Sequence, residues 1–459
     1  MWIKDCDIQS YRGLYGIILL LLVSYSSAEY IPSTIDAEKT FKDSSVNWDV
    51  RHKQSFYLES HQISETDVEM ETVFGIEATV PSTPSALFTR GELSIHYPSS
   101  TRDDKFILQD LYWDTTVELP RILSSANYLS FRLGVQTFAW GNSVMYNPTD
   151  NLSPWYSVAP FDSRRMGLLA GKVAFVSDLH SLDFIYIPVF KPTELPPPGD
   201  RFFLYTPSAG PNPFYPQSGP PLVQYRYTGV LDPGKPEDDR SPDQVAIRYS
   251  GTLGGWDVVL SWFNGYENIP LFEAVPVKYV PENNVVDVNV RYVYAGEQVF
   301  GLELTRLFGK LGTHLETAYF NMKKTGHDVG IGDEDYAVAV LGAEYTFHDI
   351  IGQQDITVSL EYAKEFSEHS DSRIYINRVY KNAVLSRISH FVDYKLSGEL
   401  RCAYDFQTDG LYMRLSYDYQ YSDHVKLQAG VELFNGPDNS YFGQYNANDN
   451  LFVSASLLF

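Results

Sequence analysis

Residues able to do acid–base or nucleophilic chemistry are scattered along this chain. Among its ten histidines, His180, His314, His327 and His348 each lack a nearby partner at ligand or triad spacing. A hydrolase at a membrane boundary needs a Ser and a His presented together, or paired carboxylates with a His. Neither pattern is visible, and the histidines are expected at the surface or in an aromatic girdle. Gly309-Lys310 is followed by Leu311-Gly312, not by the Ser or Thr of a phosphate-cradling loop. Gly330 to Asp335 is acidic but lacks the spacing of a calcium loop, and it reads as a polar hairpin. These absences point to a protein that is not an enzyme and uses no cofactor and no metal.

What remains is charge at alternate positions. Arg132, Gln136 and Trp140 share the parity opposite to Leu129, Phe131, Leu133 and Val135. Arg248, Asp257, Glu303, Glu316, Glu361, Arg414 and Asp418 are placed in the same way, as are Lys172, Arg291, Arg401 and Glu432. Successive side chains of a strand point to opposite faces. With the apolar set toward lipid, this mixed-sign set lines an aqueous lumen, where charges set ion selectivity. The chemistry expected is selective passage.

Strands must position those residues. Residues 410–421 set Leu411, Met413, Leu415, Tyr417 and Tyr419 against Tyr412, Arg414, Ser416, Asp418 and Gln420. The next segment sets Val425, Leu427, Ala429, Val431 and Leu433 against Lys426, Gln428, Gly430 and Glu432, with only a tight hairpin between. Similar alternation marks 355–362 and 286–294, and further strands are expected at 127–139, 167–177, 181–190, 243–251, 255–265, 299–308, 311–322, 335–347 and 395–406. Earlier candidates lie at 54–62, 70–79, 85–97 and 104–118. The length of these segments suits a tilted bilayer crossing. The expected class is all-β: a transmembrane antiparallel β-barrel of about 16–18 strands with long extracellular loops. A barrel of that size leaves an aqueous interior.

The two ends agree with this reading. At the carboxy end, Leu451, Val453, Ala455 and Leu457 alternate with Ser454 and Ser456, and Phe459 is the last residue. An apolar closing strand fits a barrel, in which the last strand pairs with the first. It resembles the closing strand of bacterial outer-membrane barrels, where the terminal Phe belongs to the assembly signal; this assigns Phe459, Leu457, Ala455 and Val453 to that signal. At the amino end, Lys4 and Arg12 precede an apolar run from Leu14 to Val23, followed by Ser26 and Ala28. That pattern predicts a signal peptide over 1–28, then an N-terminal periplasmic segment over 29–50 and the barrel over 51–459. Beyond the signal, Cys402 is the one cysteine, which excludes an internal disulfide.

Composition narrows the partners. The formal net charge of -23 argues against nucleic acid. The mean hydropathy of -0.23 excludes a bundle of spanning helices but not a barrel, whose strands average polar and apolar faces. An aromatic share of 15% suits girdles at two interfaces. Fourteen of the 26 prolines lie between Pro188 and Pro242. Proline cannot donate to a ladder, so residues 191–240 form a Pro- and aromatic-rich loop, folded into the lumen or covering the mouth. Residues 367–383 read as a second long loop.

The sharpest motif follows residues 127–139: Gly134-Val135-Gln136-Thr137-Phe138-Ala139-Trp140-Gly141, then Asn147-Pro148-Thr149-Asp150, where Pro148 fixes φ and Asp150 can accept backbone N–H groups. With Ile187-Pro188-Val189-Phe190-Lys191-Pro192, the box resembles a porin-like family of Gram-negative outer-membrane barrels. Its members carry a Gly-x-Gln-x-x-x-Trp-Gly strand end, an Asn-Pro-x-Asp turn, an Arg-Gly strand start and a Pro-x-Phe-x-Pro loop entry. The Arg-Gly element is interrupted here, as Arg164-Arg165-Met166-Gly167. The resemblance covers residues 104 to about 205 and implies fold and location more than cargo. The expected function is an outer-membrane channel for passive or facilitated passage of small solutes, with outer-membrane lipids and the barrel-assembly machinery as partners. The alternatives are a plugged channel for hydrophobic compounds and a non-transport surface or adhesin barrel.

Overall fold

The computed structural model describes residues 44–459 apart from 59–67, 83–84, 98–101, 120–126, 205–208, 211–212, 214–221, 232–242, 351, 353 and 371–372. The expected signal peptide and residues 29–43 of the 29–50 segment lie outside the described residues. Eighteen strands form one antiparallel sheet. It closes because Ser45–Tyr57 pairs on one side with Val68–Ser82 and on the other with Asn450–Leu458. Closure leaves no unpaired edge, which a lipid environment requires of every backbone group.

Phe459 secures the seam. Its ring stacks on Trp48 with centroids 3.9 Å apart. The two residues exchange backbone bonds, Trp48 N to Phe459 O at 3.2 Å and Phe459 N to Trp48 O at 3.0 Å. The first strand starts at Ser45, ahead of the boundary at 51 read from sequence.

Connections alternate between two rims. One rim has short turns, such as 254–255, 309–310 and 423–424. Gly254 and Gly255 both have positive φ, the backbone that a two-residue hairpin demands. The other rim carries the long connections 137–167, 188–243, 267–295, 323–335, 368–381 and 436–449.

Two strand assignments are corrected. The segment 286–294 does not span. Val285–Val293 sits in a separate four-stranded sheet at the long-loop rim, between Val223–Leu231, to which it runs parallel, and Leu271–Val280. Arg291, expected in the lumen, pairs there with Glu273 at 2.8 Å. Conversely, Asn382–Phe391 is a barrel strand that the alternation did not mark.

The outward face is apolar. Leu133, Leu341, Leu360, Phe300, Leu451 and Val453 are all exposed on it, with Tyr417 and Tyr419. The inward face has two halves. Toward the long-loop rim, Val299, Ala318, Phe320, Val338, Val340, Leu385 and Tyr412 join one buried apolar cluster. Toward the short-turn rim, the interior is charged and hydroxylated.

Candidate functional site

The apolar half of the interior is filled by the chain's own loop, residues 137–167. The strand Asn127–Gln136 ends at Gln136, whose Nε2 donates to Ala170 O at 2.9 Å. The chain then turns inward. Trp140, read from sequence as a strand residue, stands in this loop and is buried.

Two carboxylates from the wall receive the loop backbone. Glu316 Oε2 accepts Asn142 N at 3.0 Å and Ser143 N at 3.1 Å, and its Oε1 accepts Thr149 N at 2.9 Å and Thr149 Oγ1 at 2.8 Å. Glu361 accepts Met145 N at 3.0 Å and Val144 N, and it lies 2.9 Å from His314 Nε2. Glu303 accepts the Thr149 hydroxyl at 3.2 Å and lies 3.7 Å from Arg248. All three carboxylates are buried. Hydrogen bonds to an ionised acceptor are among the strongest a fold can make, so this trio anchors the loop.

The sequence box explains the loop's internal shape. Asp150 Oδ1 accepts Trp140 N at 3.1 Å, and Asp150 N donates to Asn147 O at 3.2 Å, closing the turn. Arg165 grips Asp150, donates to Phe138 O at 2.9 Å and lies over the Trp155 ring. Burial raises the Asp150 pKa, and Arg165 works against that rise. Gly141 has φ +92, and a Cβ there would fall 2.4 Å from Asn147 Oδ1 and 2.7 Å from Glu316 Oε1. Glycine is therefore required where the loop meets its anchor.

The far part of the loop crosses the lumen. Trp155–Ala159 and Asp162–Arg165 form a hairpin whose Phe161 stacks on Tyr412 at 4.0 Å. Asp162 binds Lys53 at 2.9 Å, and Arg164 binds Glu71 at 2.6 Å. The Lys53 ammonium holds the Asp162 carboxyl below its ordinary range.

Residues 191–204 cover this plug from the mouth. Glu194 N donates to Trp155 O and Ser157 N to Glu194 O, both near 2.9 Å, which joins cover and plug. Arg102 clamps them together: its Nε lies 2.5 Å from Asp200 Oδ2, and its Nη2 donates to Val158 O. Burial opposes the charge on Arg102, but Asp200 outweighs it and raises the guanidinium pKa. Arg201 lies over the Tyr57 ring at 3.9 Å, and Phe202 packs on Tyr57, Phe434 and Tyr445. Of the 191–240 loop, this described part is a cover; the segment inside the lumen is 137–167, which sequence reasoning missed.

The remaining charged residues face the short-turn half. Arg132 pairs with Asp114 at 3.0 Å, and Lys172 with Asp183 at 2.7 Å. Arg414 pairs with Glu432 at 3.1 Å, and Asp418 with Lys426 at 3.3 Å. Asp257 is exposed at the short-turn rim and accepts from Thr252 Oγ1 at 2.7 Å. Two cavities open among these groups. One of ≈ 550 Å³ is lined by Arg387, Arg401, Arg414 and Glu399, and one of ≈ 310 Å³ by Arg51, Lys53, Glu71 and Arg164. Val453, Ala455 and Leu457, expected in the assembly signal, pair with Gln54, His52 and Val50 of the first strand.

The histidines do have partners, supplied by neighbouring elements and so invisible as sequence spacing. His314 meets Glu361, His327 meets Glu273 at 3.0 Å, His348 meets Asp355 at 3.0 Å, and His180 meets Tyr249 at 2.9 Å. Ser94 Oγ comes within 3.1 Å of His96 Nε2, but the Ser94 hydroxyl donates to Glu71 and accepts from Arg164 Nη1 at 3.1 Å. The adjoining cavity of ≈ 50 Å³ has room for little more than water. Among the described residues no group of three or more His, Cys, Asp or Glu is arranged to hold a metal ion.

A closed antiparallel barrel of eighteen strands, apolar outside and holding a folded loop inside, is a transmembrane β-barrel. The chain belongs to the family described as a protein of unknown function (DUF1302), whose model matches residues 39–331. Similar solved structures include two tryptophan-bearing mutants of the porin of Rhodopseudomonas blastica, at 12% and 11% identity. Each alignment covers 91% of this chain and 100% of the porin, with a TM-score of 0.39, a likeness that says nothing about cargo. No curated protein matches the chain.

Proposed function

We propose that the protein is an outer-membrane channel for small polar solutes, constricted by its own loop 137–167. The observation that carries this reading is the anchoring of that loop inside the lumen by Glu316 and Glu361 above a charged vestibule. A barrel serving only as a surface scaffold has no need of a polar half-lumen lined by facing charges, whereas a channel uses such charges to select solutes. The protein acts by permeation and not by catalysis, its partners are lipids, the assembly machinery and the solutes, and Arg132, Arg248, Asp257, Arg414 and Asp418 line the route.

A second reading has one observation in its favour. Tyr57, Phe202, Tyr412, Phe434, Phe442 and Tyr445 form a buried aromatic cluster inside the barrel, with Phe161 packed against it, which apolar compounds would reach if the cover lifted.

Fractionation should place the mature chain in the outer membrane with heat-modifiable gel mobility, and proteoliposomes should swell in small sugars or amino acids. Recovery as a soluble protein would end the reading. Swelling-inactive proteoliposomes that retain apolar ligands would favour the second one.

A further inference from the structure

Three arginines stand side by side on the lumen wall in the short-turn half. Arg387 is the cross-strand partner of Arg401, and Arg401 of Arg414, on the strands Asn382–Phe391, Leu396–Asp405 and Gly410–Ser422. Directly opposite residues lie roughly 4.5–5.5 Å apart at Cβ, and like charges so placed destabilise a sheet. Ser359 bounds the row on one side and Glu432 on the other.

Carboxylates offset this repulsion only in part. Glu399 is shared, lying 2.6 Å from Nε of Arg387 and 2.6 Å from Nε of Arg401, while Glu432 serves Arg414. Asp418 and Asp355 also line the cavity, but Lys426 engages the first at 3.3 Å and His348 the second at 3.0 Å, so Arg387 and Arg401 share the single carboxylate of Glu399. The terminal nitrogens of Arg387 and Arg401 have no hydrogen-bond partner among the described residues. Glu399 accepts from Arg387 Nε and lies at ion-pair distance from Arg401 Nε, which has no hydrogen-bond partner of its own, and both side chains line the cavity.

The next row toward the rim is hydroxylated. Thr357, Ser389, Glu399 and Ser416 follow one another across the same strands. All line the ≈ 550 Å³ cavity with the three arginines. Guanidinium forks beside hydroxyl donors match the two or three oxygens of a carboxylate or phosphate, and the match is bidentate.

We propose that this wall is a binding site for the carboxylate or phosphate group of a permeating solute. The proposal rests on the channel reading for its role but not for its existence. The row of arginines that costs the empty barrel stability becomes favourable once an oxyanion bridges it.

Titration calorimetry on the detergent-purified barrel tests the site without requiring conduction. Inorganic phosphate and succinate are the probes, and binding of one over the other tells which oxyanion the site serves. Arg387→Gln with Arg401→Gln should weaken that binding by about tenfold or more, the loss of two charge-assisted contacts. Glu399→Gln, which removes the competing carboxylate, should strengthen it, a gain that a misfolded barrel would not show. No heat with either anion, or affinity unchanged in the double variant, overturns the proposal. In bilayers under a salt gradient, the wild type should be more chloride-selective than the double variant. A barrel that binds phosphate yet passes no ions would fail the channel reading while leaving the site standing.

Discussion

Replacing Glu316 with Gln removes one charge and changes no shape. The carboxylate receives Asn142 N and Ser143 N on one oxygen and the Thr149 N and hydroxyl on the other. A Gln amide offers one oxygen and one NH2. In its best orientation the oxygen keeps Asn142 and Ser143, and the NH2 faces Thr149. The Thr149 hydroxyl can accept it and donate to Glu303, while the Thr149 N–H loses its acceptor. A bond to a charged acceptor contributes ~1.5–3 kcal/mol net, and a buried donor left unmet costs ~1–3 kcal/mol. Because the four bonds act as a unit, their sum overstates the loss. With one bond forfeited, its donor left unmet and the charge gone from the others, docking of residues 142–149 weakens by ~3 kcal/mol, or about a hundredfold in the open-to-docked ratio. Glu361 still holds Val144 and Met145, so the barrel itself is unaffected. Amide hydrogen exchange reads the effect at the affected groups: Asn142, Ser143 and Thr149 should exchange about a hundredfold faster in the variant, while amides of the strand Leu311–Met322 keep their protection. Equal protection of 142–149 in both proteins would refute the anchoring argument.

Gly141→Ala should mimic that variant from the loop side, because the added Cβ collides with Asn147 and Glu316 and a positive φ is strained for Ala; faster exchange of the same amides checks it, with a cost of ~1–3 kcal/mol. Glu267, just past the strand Trp256–Tyr266, has its pKa pushed up to about 7 by burial, against hydrogen bonds from Asn377 and Ile269 N. Its neutral form is the one the fold favours, so stability is full below the ordinary value of 4.5 and falls as pH rises toward 7, by up to ~3 kcal/mol. Glu267→Gln should therefore match the wild type at pH 4 and exceed it at pH 8 in guanidinium midpoint, and a gain that does not depend on pH would contradict the assignment. Deleting Phe459 removes the Trp48 stack and two seam bonds, worth ~2–4 kcal/mol; the heat-modifiable fraction in the outer membrane should fall while synthesis is unchanged.

The barrel was legible in the sequence because lipid outside and water inside impose a period of two on most strands. The pattern misled where that physics does not act. Val286, Val288 and Val290 alternate as cleanly as any spanning strand, yet they are buried within a rim sheet, and alternation alone does not distinguish lipid from protein as the apolar neighbour. Asn382–Phe391 escaped notice for the opposite reason: Ala383 and Leu385 face inward and are apolar because the plug packs on that half of the lumen. The inward direction of Glu303, Glu316 and Glu361 was readable from parity. Their engagement with residues more than a hundred positions away was not, since a loop entering a lumen leaves no periodic trace. Trp140-Gly141 and Asn147-Pro148-Thr149-Asp150 signalled a built turn, and the collision awaiting a Cβ at Gly141 explains why the turn takes that form.

On the proposed reading the lumen conducts and loop 137–167 sets its width. Single-channel recording in planar bilayers tests it most directly, comparing the wild type with a variant whose residues 142–149 are replaced by a short Gly-Ser link that retains every strand. The wild type should give small discrete steps and the variant larger ones. Steps of equal size in both, or no steps in either, would contradict the reading.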